Sequence, residues 1–195
     1  MESKTKSHLR AFALAAVVMW VPGTFAYIYF FPHFVSNALN RAVRHGLGIP
    51  VNTLYAMSGL ASPSVTQSNV WLTGTNHDTL YIVGWLDLGK GAEILHVPDM
   101  AGRYYSVEFV DPWLDVFAYV GRRTTGTRAG DYLISGPDWK GSPPEGVKQI
   151  VSPDNAALVI GRVLVERDDD LSTAYGLAKQ IQLTPQSRWR PGSLL

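Results

Sequence analysis

The 195-residue chain contains no cysteine and carries little charge. Without cysteine it can form no disulfide, thiolate nucleophile, zinc–thiolate site or iron–sulfur cluster, so any chemistry must use oxygen and nitrogen groups. Charged residues are 17% of the chain, against about 25% in average soluble domains. The 17 Lys and Arg nearly balance the 16 Asp and Glu, which argues against nucleic acid as a partner because no cationic surplus faces a phosphate backbone. Hydrophobic residues, at 46%, exclude a disordered chain.

A long apolar stretch occupies residues 11–31, AFALAAVVMWVPGTFAYIYFF, which are 21 positions without a charge. As a helix it would be about 31 Å long, which matches the hydrocarbon thickness of a bilayer. Lys4, Lys6 and Arg10 precede it, whereas the next cation, Arg41, lies ten residues beyond it. The positive-inside rule therefore keeps the N-terminus in the cytoplasm and exports the rest of the chain.

Two other interpretations of this stretch compete with a retained anchor. Pro22 and Gly23 interrupt it, and the small-x-small pattern of residues 24–26 is tolerable for cleavage of a signal peptide. Cleavage there would leave the apolar sequence YIYFFPHF at the new terminus, which favours retention. A buried helix of a soluble protein seldom needs 21 apolar residues. Both the anchor and the signal peptide export the domain.

These signals divide the chain into an anchor and an exported domain. Tyr27 and Tyr29 lie near the outer end of the apolar stretch, where amphipathic rings suit the headgroup layer. We predict a cytoplasmic N-terminus (1–10), a transmembrane anchor in the bacterial inner membrane (11–31), a juxtamembrane helix (32–49) and a periplasmic β domain (50–195). A polar stretch at 58–69 is predicted as a loop or linker.

Beyond Val70 the hydrophobic period changes from helical spacing to strand-length runs bounded by Gly, Pro and Asp. The predicted strands are 79–86, 92–97, 103–110, 114–120, 131–135, 147–151 and 156–166. No helical crossover separates them, so the pattern predicts a mainly β fold, an antiparallel sandwich or barrel-like domain. The first strands are expected to be joined by hairpin-like turns, and the Gly-rich segment 121–130 by a hairpin loop. Asp168–Asp170 then open a C-terminal helix that ends before Pro185.

The last predicted strand should be central in its sheet. Its segment 156–165, AALVIGRVLV, is apolar on both faces except for Arg162, as in strands that are covered on both sides. Arg162 therefore requires a partner.

Polar residues gather where the predicted strands begin and end. One carboxylate from each of two turns could form a general acid and base pair, or a carboxylate and an arginine could clamp a polar ligand. The candidate catalytic residues are Asp78, Asp99, Arg103, Tyr105 and Asp111, and the candidate binding residues are Asn76, Asp78, Tyr81, Arg103 and Arg123. The alternative is structural, because Asn and Asp side chains in turns also accept backbone N–H bonds.

Neither a metal nor a cofactor is predicted. His77 and Asp78 are adjacent, so on a strand they would point to opposite faces and could not easily chelate one ion. The segment 121–130, GRRTTGTRAG, lacks the Gly-Lys-Ser/Thr ending of a phosphate-binding loop.

A series of short motifs resembles, in order and spacing, the bacterial family called domain of unknown function 1254. They include TNHDTLY (75–81), VPD (97–99), GRYY (102–105), RTTG (123–126), WKG (139–141), GR (161–162) and LTP (183–185). The resemblance covers about 50–185 and implies an antiparallel β domain. In longer members a second domain, domain of unknown function 1214, follows in the same chain. The resemblance thus implies a short, membrane-anchored form whose natural partner is a separately encoded, similarly anchored protein of the 1214 type.

Two functional hypotheses follow. The first is a binding or structural module, anchored in the membrane, whose exposed face pairs with a second β domain. The alternative is an exported hydrolase or lyase, which requires the candidate Asp, Arg and Tyr side chains to converge on one concavity.

Overall fold

We describe the protein from a computed structural model that covers residues 2–60 and 76–191. Most of the predicted linker at 58–69 lies outside these residues. The described part contains two α-helices and nine strands. They are α1 Glu2–Arg41, β1 Leu54–Ala56, β2 Thr79–Asp87, β3 Glu93–Val97, β4 Tyr105–Val110, β5 Val116–Gly121, β6 Gly130–Ser135, β7 Lys148–Val151, β8 Ala156–Leu164, α2 Leu171–Gln180 and β9 Gln182–Pro185.

Helix α1 runs without interruption through the predicted anchor and most of the predicted juxtamembrane helix. It contains Pro22 and Pro32 and is followed by a π-helical turn, Ala42–Gly46. The segment Leu14–Gly46 is long and apolar enough to cross a membrane, and its most apolar 18-residue window is not buried against the described part of the chain. Large apolar side chains such as Trp20 and Phe25 are about three-quarters exposed.

The strands form two sheets that pack face to face. The five-stranded sheet has the order β1-β2-β8-β4-β5 and is antiparallel throughout. The four-stranded sheet has the order β7-β6-β3-β9, and its β6–β7 pair is parallel. The main core lies between the sheets, with α2 packed against it. The predicted mainly β fold with an N-terminal and a C-terminal helix is confirmed, and β1 and β9 add to the seven predicted strands.

Strand β8 is central, as its apolar sequence predicts, because it pairs with β2 on one side and β4 on the other. The predicted hairpins, however, are wrong. Strand β3 lies in the other sheet from β2 and β4, and the segment 121–130 also crosses from one sheet to the other. Leu88 and Met100, in the two connections that flank β3, are buried in the core between the sheets. A surface hairpin would leave both side chains in water, so their burial favours a change of sheet.

The end of the N-terminal helical region is attached to the β domain by apolar packing. Val43 and Ile49 are buried against Trp85, Val110 and Leu158, which belong to the outer face of the five-stranded sheet. Burying side chains of this size stabilises the contact by roughly 1.5–3 kcal/mol each. The helix therefore continues into the body of the domain as a packed element.

Candidate functional site

The outer face of the five-stranded sheet has an apolar half and a polar half. Side chains alternate along each strand, so one row across the sheet contains Tyr81, Arg162, Ser106 and Gly121. The next row contains Ile160, Glu108 and Tyr119, together with Val83. The apolar half beyond these rows is covered by Val43 and Ile49. The polar half is not covered by any part of the chain that the structure describes.

A concavity of about 360 Å³ lies on the polar half, and we call it the Tyr/Arg cleft. Its lining residues come from β4, β5, β8 and the segments that flank them. They are Tyr104, Tyr105, Ser106, Glu108, Tyr119, Gly121, Arg123, Thr124 and Arg162.

Gly121 is required in the floor of the cleft because the chains approach closely there. A Cβ atom at this position would lie 2.7 Å from the carbonyl oxygen of Tyr105 and 3.0 Å from the Cα atom of Ser106. Any larger residue would push β5 away from β4.

Each of the two arginines of the cleft lies over a tyrosine ring. The guanidinium carbon of Arg162 is 5.3 Å from the ring centroid of Tyr81, and that of Arg123 is 5.8 Å from the ring centroid of Tyr104. Cation–π contacts of this kind hold a guanidinium group in place while its N–H donors remain available. Neither guanidinium forms a hydrogen bond or ion pair within residues 2–60 and 76–191. Both can therefore donate to an acceptor that enters the cleft.

Glu108 and Tyr119 stand opposite each other on β4 and β5. Partial removal from water raises the pKa of the Tyr119 phenol, and the negative charge of Glu108 raises it further. Tyr119 is therefore a neutral phenol at physiological pH and can donate a hydrogen bond. The cleft thus offers two cations, one carboxylate and phenol groups, a set suited to binding a polar, partly anionic surface.

The three candidate catalytic aspartates lie at separate turns. Asp78 is exposed before β2, and its backbone oxygen accepts the N–H of Val165 at 2.7 Å. Asp99 accepts the N–H of Ala101 at 2.7 Å. Asp111 accepts the N–H of Trp113 at 2.8 Å and that of Asp115 at 3.0 Å. None of the three lines the Tyr/Arg cleft.

Asn76 and Arg103 hold the fold in place. The buried Asn76 side chain donates to the carbonyl of Thr79 at 2.7 Å and accepts the N–H of Thr79 at 3.0 Å. Arg103 donates through both terminal nitrogens to Asp170, with Nη2–Oδ1 at 2.8 Å, and also to the carbonyl of Leu164. The hydrogen bonds from Arg103 lower the pKa of Asp170 to about 2. This pair joins the start of β4 to the start of α2.

Two of the candidate residues line the cleft and a third supports it. Arg123 is exposed at its rim, and the fully buried Tyr105 lies beneath it, with its hydroxyl 3.4 Å from Oγ1 of Thr125. Tyr81 is buried under Arg162. Sequence reasoning missed Glu108, Tyr119 and the role of Arg162. The signal for Arg162 was available, since it is the single charged residue in an apolar central strand.

A buried carboxylate lies apart from the cleft, between β3 and the segment before β1. Glu93 is 4% exposed. Its Oε1 accepts from Asn52 Nδ2 at 2.9 Å, while Oε2 has no hydrogen-bond partner within the described residues. Burial raises the pKa of Glu93 to about 7, although the hydrogen bond from Asn52 opposes the change.

Comparisons with known proteins agree with this architecture. A family model described as "Protein of unknown function (DUF1254)" matches residues 51–185. A crystal structure of the VPA0106 protein from Vibrio parahaemolyticus is 26% identical, with a TM-score of 0.68 over 83% of this chain and 37% of that chain. A putative uncharacterized protein from Burkholderia cenocepacia is 10% identical, with a TM-score of 0.40 over 58% of this chain and 31% of that one, which is too weak to support an argument. Curated proteins gave no match. The chain thus spans little more than a third of the length of VPA0106.

Proposed function

The chain belongs to the DUF1254 family of proteins of unknown function, and from its own geometry we propose a binding or structural module, anchored in the bacterial inner membrane, that pairs with a second β domain. The observation that carries the proposal is the Tyr/Arg cleft. Tyr and Arg, together with Trp, are the residue types most enriched at the energetic centres of protein interfaces. Here Tyr104, Tyr119, Arg123 and Arg162 surround one open concavity, and Tyr81 lies under Arg162.

The anchor is supported by α1 and its flanking charges. The helix carries exposed apolar side chains over a length that suits a bilayer. The cations Lys4, Lys6 and Arg10 precede the apolar stretch, which favours a cytoplasmic N-terminus and a periplasmic β domain. Because Val43 and Ile49 pack on the sheet, the cleft would be held at a fixed distance from the membrane.

The proposed partner is a separately encoded, anchored protein of the domain of unknown function 1214 type. In VPA0106 the region similar to this chain is 37% of that chain, so a region of this kind occurs beside further residues in that protein. The cleft suggests how the domains meet. An acidic side chain of the partner would accept hydrogen bonds from Arg123 and Arg162, and the tyrosine rings would exclude water around it.

The positions of Asp78, Asp99 and Asp111 give no support to the alternative of an exported hydrolase or lyase. Each lies at its own turn, and the acid–base pair of that mechanism needs two groups around one substrate. Within the described residues, the cleft contains a single carboxylate, Glu108.

Co-purification tests the pairing. The full chain, in detergent, is co-expressed with a protein that carries the 1214-type domain. We expect Arg162→Ala and Arg123→Ala each to lower partner recovery at least about tenfold, the loss that corresponds to about 1.4 kcal/mol. Arg122→Ala is the matched control, because Arg122 is the exposed neighbour of Arg123 in the same loop and does not line the cleft. Undiminished recovery with both cleft variants, or a wild-type chain that recovers no partner, would refute the pairing.

Reporter fusions test the topology independently. A C-terminal fusion to a phosphatase that is active only in the periplasm should give activity, whereas the same fusion after removal of residues 2–31 should not. Activity confined to a cytoplasmic reporter at the C-terminus would contradict the proposed orientation.

A further inference from the structure

The turn between β4 and β5 presents two apolar side chains to solvent. Asp111 closes this turn, since its carboxylate accepts from Trp113 and Asp115 and its carbonyl accepts the N–H of Leu114 at 3.0 Å. Trp113 is 41% exposed and Leu114 is 38% exposed. We call residues 113–114 the turn tip.

Leu114 occupies an unusual backbone conformation. Its φ angle is +69°, in the left-handed region that is unfavourable for residues with a Cβ atom. Glycine would fit this position without strain, yet the chain has a leucine there. Strain that is retained at an exposed apolar residue points to a role for the side chain outside the folded core.

The turn tip contacts α1 at a defined level. The ring centroid of Trp113 lies 5.3 Å from that of Tyr29 and 4.3 Å from that of His33, both in edge-to-face geometry. The apolar stretch ends at Phe31. Tyr29 and His33 therefore lie about 3 Å before and about 3 Å beyond that end, at about 1.5 Å per helical residue.

This level corresponds to the boundary between hydrocarbon and headgroups if α1 crosses the bilayer. Trp is enriched at that boundary, where the apolar ring enters lipid and its N–H remains hydrated. Leu114 and the nearby Val116, which is 43% exposed, would add apolar area to the same contact. The exposed carboxylate of Asp115 keeps the turn out of the hydrocarbon core and limits it to a shallow position.

We propose that the turn tip is a second membrane contact, seated in the periplasmic headgroup layer of the bilayer that α1 spans. The inference rests on the anchor in the proposed function. With this contact the β domain is held at two places, by α1 and by the turn tip. Its orientation relative to the membrane is therefore fixed. The Tyr/Arg cleft would consequently face a partner in a defined direction relative to the membrane.

Site-directed labelling tests this contact, and the natural absence of cysteine makes single-cysteine variants direct to prepare. An environment-sensitive fluorophore is attached to the cysteine of the full-length Leu114→Cys variant. The labelled protein is reconstituted in phosphatidylcholine–phosphatidylglycerol nanodiscs that contain spin-labelled lipids, and quenching of the fluorophore by these lipids is measured. Trp20→Cys reports the bilayer interior, and Val151→Cys, on an exposed edge strand of the other sheet, reports water. We expect at least twofold stronger quenching at residue 114 than at 151, and greatest with headgroup-proximal spin labels.

The controls separate failure of this inference from failure of the anchor. If residue 20 is quenched and residue 114 is as unquenched as residue 151, the turn tip does not touch the membrane, although the anchor stands. If residue 20 is also unquenched, the membrane anchor itself is wrong and the inference falls with it.

Leu114→Gly distinguishes a membrane role from a folding role. Glycine relieves the positive φ, so the thermal midpoint should rise, while a fluorophore at Val116→Cys should lose at least half of its lipid quenching. Trp113→Ala should cause the same loss of quenching. Unchanged quenching in both variants would overturn the proposal.

Discussion

Replacement of Glu93 by glutamine should change how stability depends on pH. Glu93 is buried, one of its oxygens has no partner within the described residues, and its pKa is raised from 4.5 to about 7. The folded chain therefore retains a proton on this group that the unfolded chain has already released. Since the folded state binds more protons between these two pKa values, wild-type stability falls as pH rises from about 4.5 to about 7.

The size of this effect follows from the shift. At about 1.4 kcal/mol per pKa unit, the shift from 4.5 to about 7 means that the wild type loses at most about 3.5 kcal/mol of stability across the window. Glutamine resembles the protonated carboxyl in shape and charge, and its carbonyl can still accept from Asn52. We expect Glu93→Gln to match the wild type near pH 4.5 and to be more stable above pH 7, by up to about 3.5 kcal/mol.

Denaturant unfolding of the full chain in detergent micelles, followed by tryptophan fluorescence between pH 4.5 and 8, measures this difference. Taking the difference between variant and wild type removes the contributions of the other titrating groups. Glu145→Gln, at an exposed position, is the matched control and should show no pH-dependent difference. A constant difference between Glu93→Gln and the wild type over the whole range would refute the reasoning.

Two further pairs of variants test the Arg103–Asp170 ion pair and the close packing of β4 and β5 at Gly121. Asp170→Ala should lower the free energy of unfolding by about 2 kcal/mol at pH 7, because it removes the charge-assisted hydrogen bonds from Arg103. The pKa of Asp170 is lowered to about 2, so the stability that these bonds provide is present above pH 4 and is lost as the pH falls toward 2. The ion pair between Asp169 and Arg167 is exposed, so Asp169→Ala should lower the free energy of unfolding by less than about 0.5 kcal/mol. Equal losses in the two variants would contradict the structural role of the Arg103–Asp170 pair. Gly121→Ala should destabilise by about 1–3 kcal/mol through overpacking between β4 and β5. Gly176 lies in α2, where an added Cβ atom would meet no neighbour, so Gly176→Ala should raise the free energy of unfolding by about 0.5–1 kcal/mol. If unfolding measurements show that both substitutions stabilise or that both destabilise the protein, the packing argument is refuted.

Local sequence patterns were sufficient to predict the helices and strands, but not how the strands are connected. The apolar stretch at 11–31 predicts a helix because length and composition alone decide it, and the two-residue period after Val70 predicts strands. The apolar sequence of β8 also predicts its central place. The hairpins on either side of β3 could not be excluded, because a short turn has the same composition whether the next strand joins the same sheet or the opposite one.

The candidate site shows the same division. Asp99 and Asp111 are candidate catalytic residues in the sequence. In the structure their carboxylates accept hydrogen bonds from backbone N–H groups of their own turns. Glu108, Tyr119 and Arg162 come from three different strands, so only the register between β5, β4 and β8 brings them to one face.

The sequence by itself determined that a long apolar helix precedes a strand-rich domain, because hydrophobic period and length act over neighbouring residues. Only the tertiary structure decided which sheet each strand enters and which side chains meet in the Tyr/Arg cleft. Those outcomes depend on pairing between residues far apart in the chain, where burial of groups such as Leu88 and Met100 outweighs the local preference of a turn.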